Sequence, residues 1–91
     1  MKIKKDFLLR EVPGMNVVMP TGENVRTFEG AVILNETAVV IYKELEKGAD
    51  REALIAALQK EYAVDAATAG ADVDMTLDSF RDAGILDESN I

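Results

Sequence analysis

The sequence feature that most constrains the fold is the run "AVILNETAVVIYKELEKG", residues 31–48. Its first four residues are apolar, and two of them, Val32 and Ile33, are β-branched. The shortness of this apolar run and its β-branched content favour a strand. Asn35 is a preferred helix N-cap, and Glu36 suits the positive end of a helix dipole. Apolar residues then recur at the spacing of one helix face until Gly48, a typical helix end. The residues on that face are Ala38, Ile41, Tyr42 and Leu45.

Two further strands are predicted before this run. Phe7–Val12 and Met15–Pro20 flank a Pro-Gly turn dipeptide, which indicates a β-hairpin. Residues 21–30 are polar with two glycines and are interpreted as a connecting loop. In a sheet ordered as the chain runs, residues 31–34 form the third strand, which lies at an edge.

Two more helices follow. Asp50 is placed to cap the second helix, a break at Ala63–Val64 separates it from the third, and Asp65 is placed to cap that third helix. Gly84 is expected to end it. The residues expected to be buried on these helices are Leu54, Ile55, Leu58, Tyr62, Val73, Leu77 and Phe80.

The predicted fold class is α+β. It is a winged helix-turn-helix in which an N-terminal three-stranded antiparallel sheet is followed by three helices. With 91 residues the chain is expected to form one domain, residues 1–91. Within it we expect a wing (1–35), a helical part (36–86) and a short acidic tail (87–91).

The residue inventory argues against catalysis. The chain has no Cys and no His, which excludes thiolate-bound iron–sulfur clusters, the usual zinc sites and Cys–His or Ser–His nucleophiles. We therefore expect a protein that is not an enzyme and that uses no cofactor and no metal. No apolar run approaches the roughly 20 residues of a membrane span, and no secretory signal is visible, so a cytoplasmic location without membrane attachment is expected.

The negative charge of the chain is concentrated in its last third. Residues 65–91 contain seven acids and one base, a net charge of −6 out of the −7 of the whole chain. In a DNA-binding winged helix the third helix would enter the major groove, but here its first half has Asp65, Asp72 and Asp74 and no Lys or Arg. Since DNA affinity depends on neutralising phosphates, we expect no nucleic-acid partner. An acidic winged-helix transcriptional regulator or a protein-interaction adaptor remains the alternative function.

The third helix has two contrasting flanks. Asp74, Asp78 and Asp82 form a row at i, i+4 and i+8, which is either a solvated face or an electrostatic surface for a basic partner. On the other flank the residues beside the buried stripe are mostly small, which indicates either close packing or a shallow groove. These residues are Ala69, Asp72, Thr76, Ser79 and Ala83.

The third strand carries none of the usual protections of a sheet edge. Residues 31–34 contain no Pro and no Lys, and such an edge can pair with another chain. The edge could be covered by the protein itself, could form a homodimer, or could accept an extended peptide as an added strand.

The chain resembles the PqqD family on the run "NVVMPTGENVRTFEGAVILNETAVVIYKELEKG", followed by a helix-turn-helix and "FRDAGIL". The most telling matches are "LNETA", Ile41 and Leu45 before Gly48, Tyr62, and the closing "GIL". Members of this family are small proteins named for pyrroloquinoline quinone biosynthesis, and they typify the recognition elements of ribosomal peptide modification. The resemblance covers nearly the whole chain.

The resemblance implies that the leader of a precursor peptide binds as a fourth strand, in a cleft between the third strand and the third helix. It also implies delivery of that peptide to a modifying enzyme, usually a radical S-adenosylmethionine enzyme. Carried over to this chain, it assigns Ala31, Val32, Ile33 and Leu34 to backbone pairing with the peptide. The groove flank contributes Asp72, Thr76, Ser79 and Ala83.

Overall fold

The structure, a computed structural model, describes residues 1–22 and 31–88. Most of the predicted connecting loop and the last three residues of the predicted acidic tail lie outside this part of the chain. The strands are β1 (Lys2–Ile3), β2 (Phe7–Val12), β3 (Met15–Pro20), β4 (Val32–Leu34) and β5 (Leu86–Asp87). The helices are α1 (Glu36–Lys47), α2 (Arg51–Glu61) and α3 (Ala66–Ala83).

The main sheet has the predicted three antiparallel strands in the order β2–β3–β4. β2 and β3 are joined by the Pro13–Gly14 turn, in which Gly14 has a φ of 80°. A positive φ is required at the third residue of a type II turn and is readily adopted by glycine. Among the described residues β4 pairs only with β3, so its predicted position at the sheet edge is confirmed.

Each helix begins at the acid or amide that the sequence predicts. The side-chain oxygens of Asn35, Asp50 and Asp65 accept hydrogen bonds from the backbone N–H three residues later, at 2.8, 2.8 and 2.7 Å. These bonds satisfy N–H groups that have no partner within the helix. The bond from Thr68 also lowers the pKa of the Asp65 carboxyl.

The core lies where the inner face of the main sheet meets the three helices. It includes Val18 and Leu34 from the sheet and apolar residues from all three helices. Every residue predicted to be buried is buried except Tyr62, which follows the last turn of α2 and is half-buried. A salt bridge between Lys43 on α1 and Glu11 on β2, with a distance of 2.7 Å between Nζ and Oε1, joins the wing to the helices at the surface.

A second small sheet, which the sequence analysis did not predict, joins the two ends of the chain. β1 pairs with β5 in antiparallel fashion, Lys2 opposite Asp87 and Ile3 opposite Leu86. The chain reaches this position because Gly84, with a φ of 78°, ends α3 and turns the backbone sharply. Asp87 therefore belongs to a strand, and the predicted acidic tail does not begin at residue 87.

Truncation of a buried side chain on α3 tests this core. Leu77 is 5% exposed and Met75, two residues away, is 71% exposed. Leu77→Ala should lower the free energy of unfolding by about 2–5 kcal/mol, because it leaves a cavity in the core. The matched variant Met75→Ala should change it by no more than about 0.5 kcal/mol. Chemical denaturation of both variants measures this difference, and equal effects would contradict the burial of Leu77.

Candidate functional site: a cleft beside the edge strand

A cleft of about 170 Å³ lies between β4, the start of α1 and the middle of α3. For comparison, an engineered apolar cavity of roughly 150 Å³ admits benzene. The cleft therefore has room for one large apolar side chain or for two smaller ones. Its lining consists of Val32, Ile33, Leu34, Asn35, Ala38, Met75, Thr76, Ser79 and Phe80.

The hairpin fixes which way the backbone of β3 points. The N–H of Thr21 donates to the carbonyl of Asp6 at 2.8 Å, so these two residues form a hydrogen-bonded pair. Such pairs alternate with non-bonded pairs along antiparallel strands. The next pair, Phe7 and Pro20, is a non-bonded pair. A proline fits there because it has no N–H to donate. Continued along β3, the alternation turns the backbone of Val17 towards β2 and that of Val18 towards β4.

The same alternation determines which backbone groups of β4 are open. Val18 is opposite Val32, Asn16 is opposite Leu34, and Val17 is opposite Ile33. Val32 and Leu34 therefore point their N–H and C=O groups at β3. Ile33 points its own N–H and C=O away from β3, at the open side of the strand. The sequence alone left this parity undetermined.

The four predicted strand residues thus have different roles. Val32 and Leu34 have their backbone committed to β3 and offer side chains to the cleft. Ile33 offers the outward backbone groups, while its side chain is on the opposite face of the sheet from the core and is 70% exposed. Ala31 is exposed and lies one residue before β4.

The floor of the cleft is aromatic. Phe80 lines the cleft, is 1% exposed, and packs edge-to-face on Tyr42 with ring centroids 6.2 Å apart. The Tyr42 hydroxyl is buried without a hydrogen-bond partner among the described residues. Burial, reinforced by the nearby Glu46 carboxylate, raises the pKa of Tyr42 to about 12. The floor is therefore uncharged at neutral pH.

Only the middle of the predicted groove flank on α3 lines the cleft. Thr76 and Ser79 line it, whereas Asp72 and Ala83, both half-buried, do not. α3 has 18 residues and β4 has three, so their lengths are about 27 Å and 10 Å. Asp72 precedes Thr76 by one helical turn and Ala83 follows Ser79 by one turn, so the two residues lie on either side of the lining residues along α3.

The acidic row of α3 is largely neutralised within the protein. Asp74 accepts two hydrogen bonds from the Arg51 guanidinium, at 2.9 and 3.1 Å. Asp78 pairs with Arg81 at 2.7 Å. The Arg51 bond lowers the pKa of the Asp74 carboxyl. The row therefore does not present three free carboxylates to a basic partner, and Arg51 is not free to contact a phosphate.

The chemistry that the cleft offers is that of recognition. Among the described residues, its lining consists of apolar side chains, two hydroxyls and one amide, and none of these side chains ionises near neutral pH. Within the described ranges no group of three potential metal ligands comes together. An extended chain needs what is present here, namely open backbone groups on one side and a shaped apolar surface on the other.

Four lining residues were missed or given other roles by the sequence analysis. Asn35, Ala38 and Phe80 were assigned to a cap or to the core, and each also borders the cleft. Met75 was not singled out. An exposed methionine on the flank of a buried stripe was the available signal, since flexible thioethers are common at peptide-binding surfaces.

Comparison with known proteins places these features in context. The family model described as "Coenzyme PQQ synthesis protein D (PqqD)" matches residues 17–86. None of the curated proteins matches the chain significantly in sequence.

Two solved structures have a similar fold. One is described as TbiB1 in complex with the TbiA(beta) leader peptide, with a TM-score of 0.78, 22% identity and full coverage of both chains. The other is lasso peptide synthetase B1 complexed with the leader peptide, with a TM-score of 0.73 and 20% identity. That match covers 92% of this chain and 93% of the other. At these identities the likeness establishes the fold, and it confirms the predicted winged helix-turn-helix.

The parity of β4 predicts opposite effects for two neighbouring prolines. Val32→Pro removes an N–H that bonds to β3 and should unfold or strongly destabilise the domain. Ile33→Pro removes an outward N–H and should leave the fold largely intact. Circular dichroism melts of the two variants measure this contrast. A stable Val32→Pro protein beside an unfolded Ile33→Pro protein would reverse the assigned parity.

Proposed function

The chain belongs to the PqqD family of coenzyme PQQ synthesis proteins, and we propose that it is a noncatalytic module that binds the leader of a ribosomally made precursor peptide. The leader adds to β4 as a further strand and lies in the cleft against α3. The module then presents the peptide to a modifying enzyme in the cytoplasm. A radical S-adenosylmethionine enzyme is the candidate that the family suggests.

The observation that carries this proposal is the coincidence of an open strand edge with an apolar cleft. The outward N–H and C=O of Ile33 lie beside a cleft floored by Phe80. Backbone pairing supplies affinity in strand addition, and pockets for alternate side chains supply specificity. The two solved structures of the same fold are complexes with leader peptides, which supports the same class of ligand here.

The geometry also specifies how the peptide is read. A peptide residue opposite Ile33 shares its backbone bonds and places its side chain on the outer face of the sheet. The peptide residues on either side of it, opposite Val32 and Leu34, point inward at α3. Two anchor positions separated by one residue therefore face the cleft, and the volume of the cleft limits the size of their side chains.

The alternative function, a transcriptional regulator that binds DNA, is not favoured. The first half of α3 contributes carboxylates and no base, and the Arg51 guanidinium beside it is engaged by Asp74. Neutralisation of phosphates, on which duplex affinity depends, has no source in this half of the helix.

A pair of substitutions at Ile33 tests the proposal. Ile33→Ala and Ile33→Pro both remove the side chain, but only the proline removes the outward N–H. The proline variant should bind the leader more weakly than the alanine variant by about 5- to 150-fold, equivalent to about 1–3 kcal/mol for a stranded hydrogen-bond acceptor. Fluorescence anisotropy with a labelled candidate precursor peptide from the same organism measures both affinities. Equal affinities of two well-folded variants would show that the peptide does not add to this edge.

An alanine scan of the same peptide provides the complementary test. Two sensitive positions should be separated by one tolerant position, because only alternate side chains of an added strand face the cleft. Sensitive positions spaced three or four residues apart would instead indicate that the peptide binds as a helix.

A further inference from the structure

The outer face of the main sheet, on the side away from the helices, is unusually apolar. Five of the six large apolar residues that are exposed in the described part of the chain lie on it. Their exposed fractions are 51% for Leu8, 43% for Val12, 48% for Met15, 40% for Met19 and 70% for Ile33. The sixth, Met75, lines the cleft.

The strand register brings these side chains together as one patch. Leu8 is opposite Met19, Val12 is opposite Met15, and Ile33 is opposite Val17, which is half-buried at the centre. Residues that are directly opposite one another share a face of the sheet. We call these six residues and Arg10 the outer face. A contiguous exposed apolar surface of this kind marks an interaction site.

Arg10 gives the outer face its only charge. It lies opposite Val17, between Leu8 and Val12 on its own strand, and no ion pair involves it within the described residues. A partner that covers this face buries the guanidinium, and burial of an unpaired charge is strongly unfavourable. The partner must therefore supply a carboxylate within an apolar surface.

This requirement excludes a second copy of the same face. In a two-fold dimer the outer face of one chain would meet the outer face of its copy. That copy offers apolar side chains and another Arg10, and it offers no carboxylate from the strand residues of the face. Contact with a different surface of a second copy would be heterologous and would repeat into a ring or a filament. A different protein is therefore the simpler occupant.

We propose that the outer face docks the enzyme that modifies the bound peptide, through an apolar surface that carries a carboxylate opposite Arg10. The identity of this partner rests on the proposed function. The outer face adjoins the peptide edge at Ile33, and the peptide residue opposite Ile33 points its side chain to the same side. A protein seated on the outer face is consequently in contact with the peptide that the module holds.

A matched pair of methionine substitutions separates this surface from the cleft. Met19→Ser alters the outer face and Met75→Ser alters the cleft, with the same change of side chain. Two dissociation constants are measured for each variant, one for the labelled candidate precursor peptide and one for a purified candidate modifying enzyme from the same organism. Met19→Ser should weaken enzyme binding about tenfold or more and leave peptide binding within about twofold. Met75→Ser should show the reverse pattern.

Arg10 tests the charge requirement. Arg10→Glu should abolish enzyme binding, whereas Arg10→Lys should retain most of it. Raising the salt concentration should weaken the wild-type complex more than the complex of Arg10→Ala. Circular dichroism confirms the fold of each variant. Sedimentation of the free wild-type protein should show a monomer.

The outcomes distinguish the two proposals. If Met19→Ser and Arg10→Glu bind the enzyme as tightly as wild type while peptide binding is normal, the outer face is not the docking surface, and leader recognition stands. If wild type does not bind the peptide at all, the proposed function fails, whatever the enzyme does. A dimer that dissociates on Met19→Ser would overturn the docking proposal in favour of self-association.

Discussion

Among the residues that the structure describes, strand β4 pairs on one side only, and the rest of the site follows from that constraint. Val32 and Leu34 pair with β3 and turn their side chains inward, so the same bonds that hold the strand also build one wall of the cleft. Ile33 must then point its N–H and C=O outward. Because Asn35 starts α1 immediately afterwards, the strand cannot lengthen at its C-terminal end.

The remaining elements hold α3 at the correct distance from that edge. Tyr42 on α1 packs edge-to-face against Phe80, and Arg51 on α2 forms a salt bridge with Asp74. A Cβ at Gly70 would lie about 3.0 Å from the Arg51 guanidinium, so glycine leaves room for this side chain. Strand pairing between β1 and β5 joins the first and last strands of the chain. The recognition surface is therefore a product of the whole fold rather than of one motif.

The sequence predicted those features that local chemistry determines. The caps at Asn35, Asp50 and Asp65 bond to N–H groups three residues away, and so their effect is visible in the sequence. The parity of β4 was not predictable, because it depends on pairing across a connection of more than ten residues. The β1–β5 pair joins residues 85 positions apart through strands of only two residues, too short for any periodic pattern. Asp72 and Ala83 share a helical face with Thr76 and Ser79, but helical phase alone does not reveal which residues of that face line the cleft.

Hydrogen exchange at the Ile33 amide, followed by NMR with and without the precursor peptide, tests the central claim most directly. In the free protein the N–H groups of Val32 and Leu34 should be protected by β3, while that of Ile33 exchanges rapidly. Saturation with the peptide should slow exchange at Ile33 by about tenfold or more, since an added strand bonds to that N–H. A saturated complex in which the Ile33 amide still exchanges as fast as in the free protein would contradict strand addition at β4.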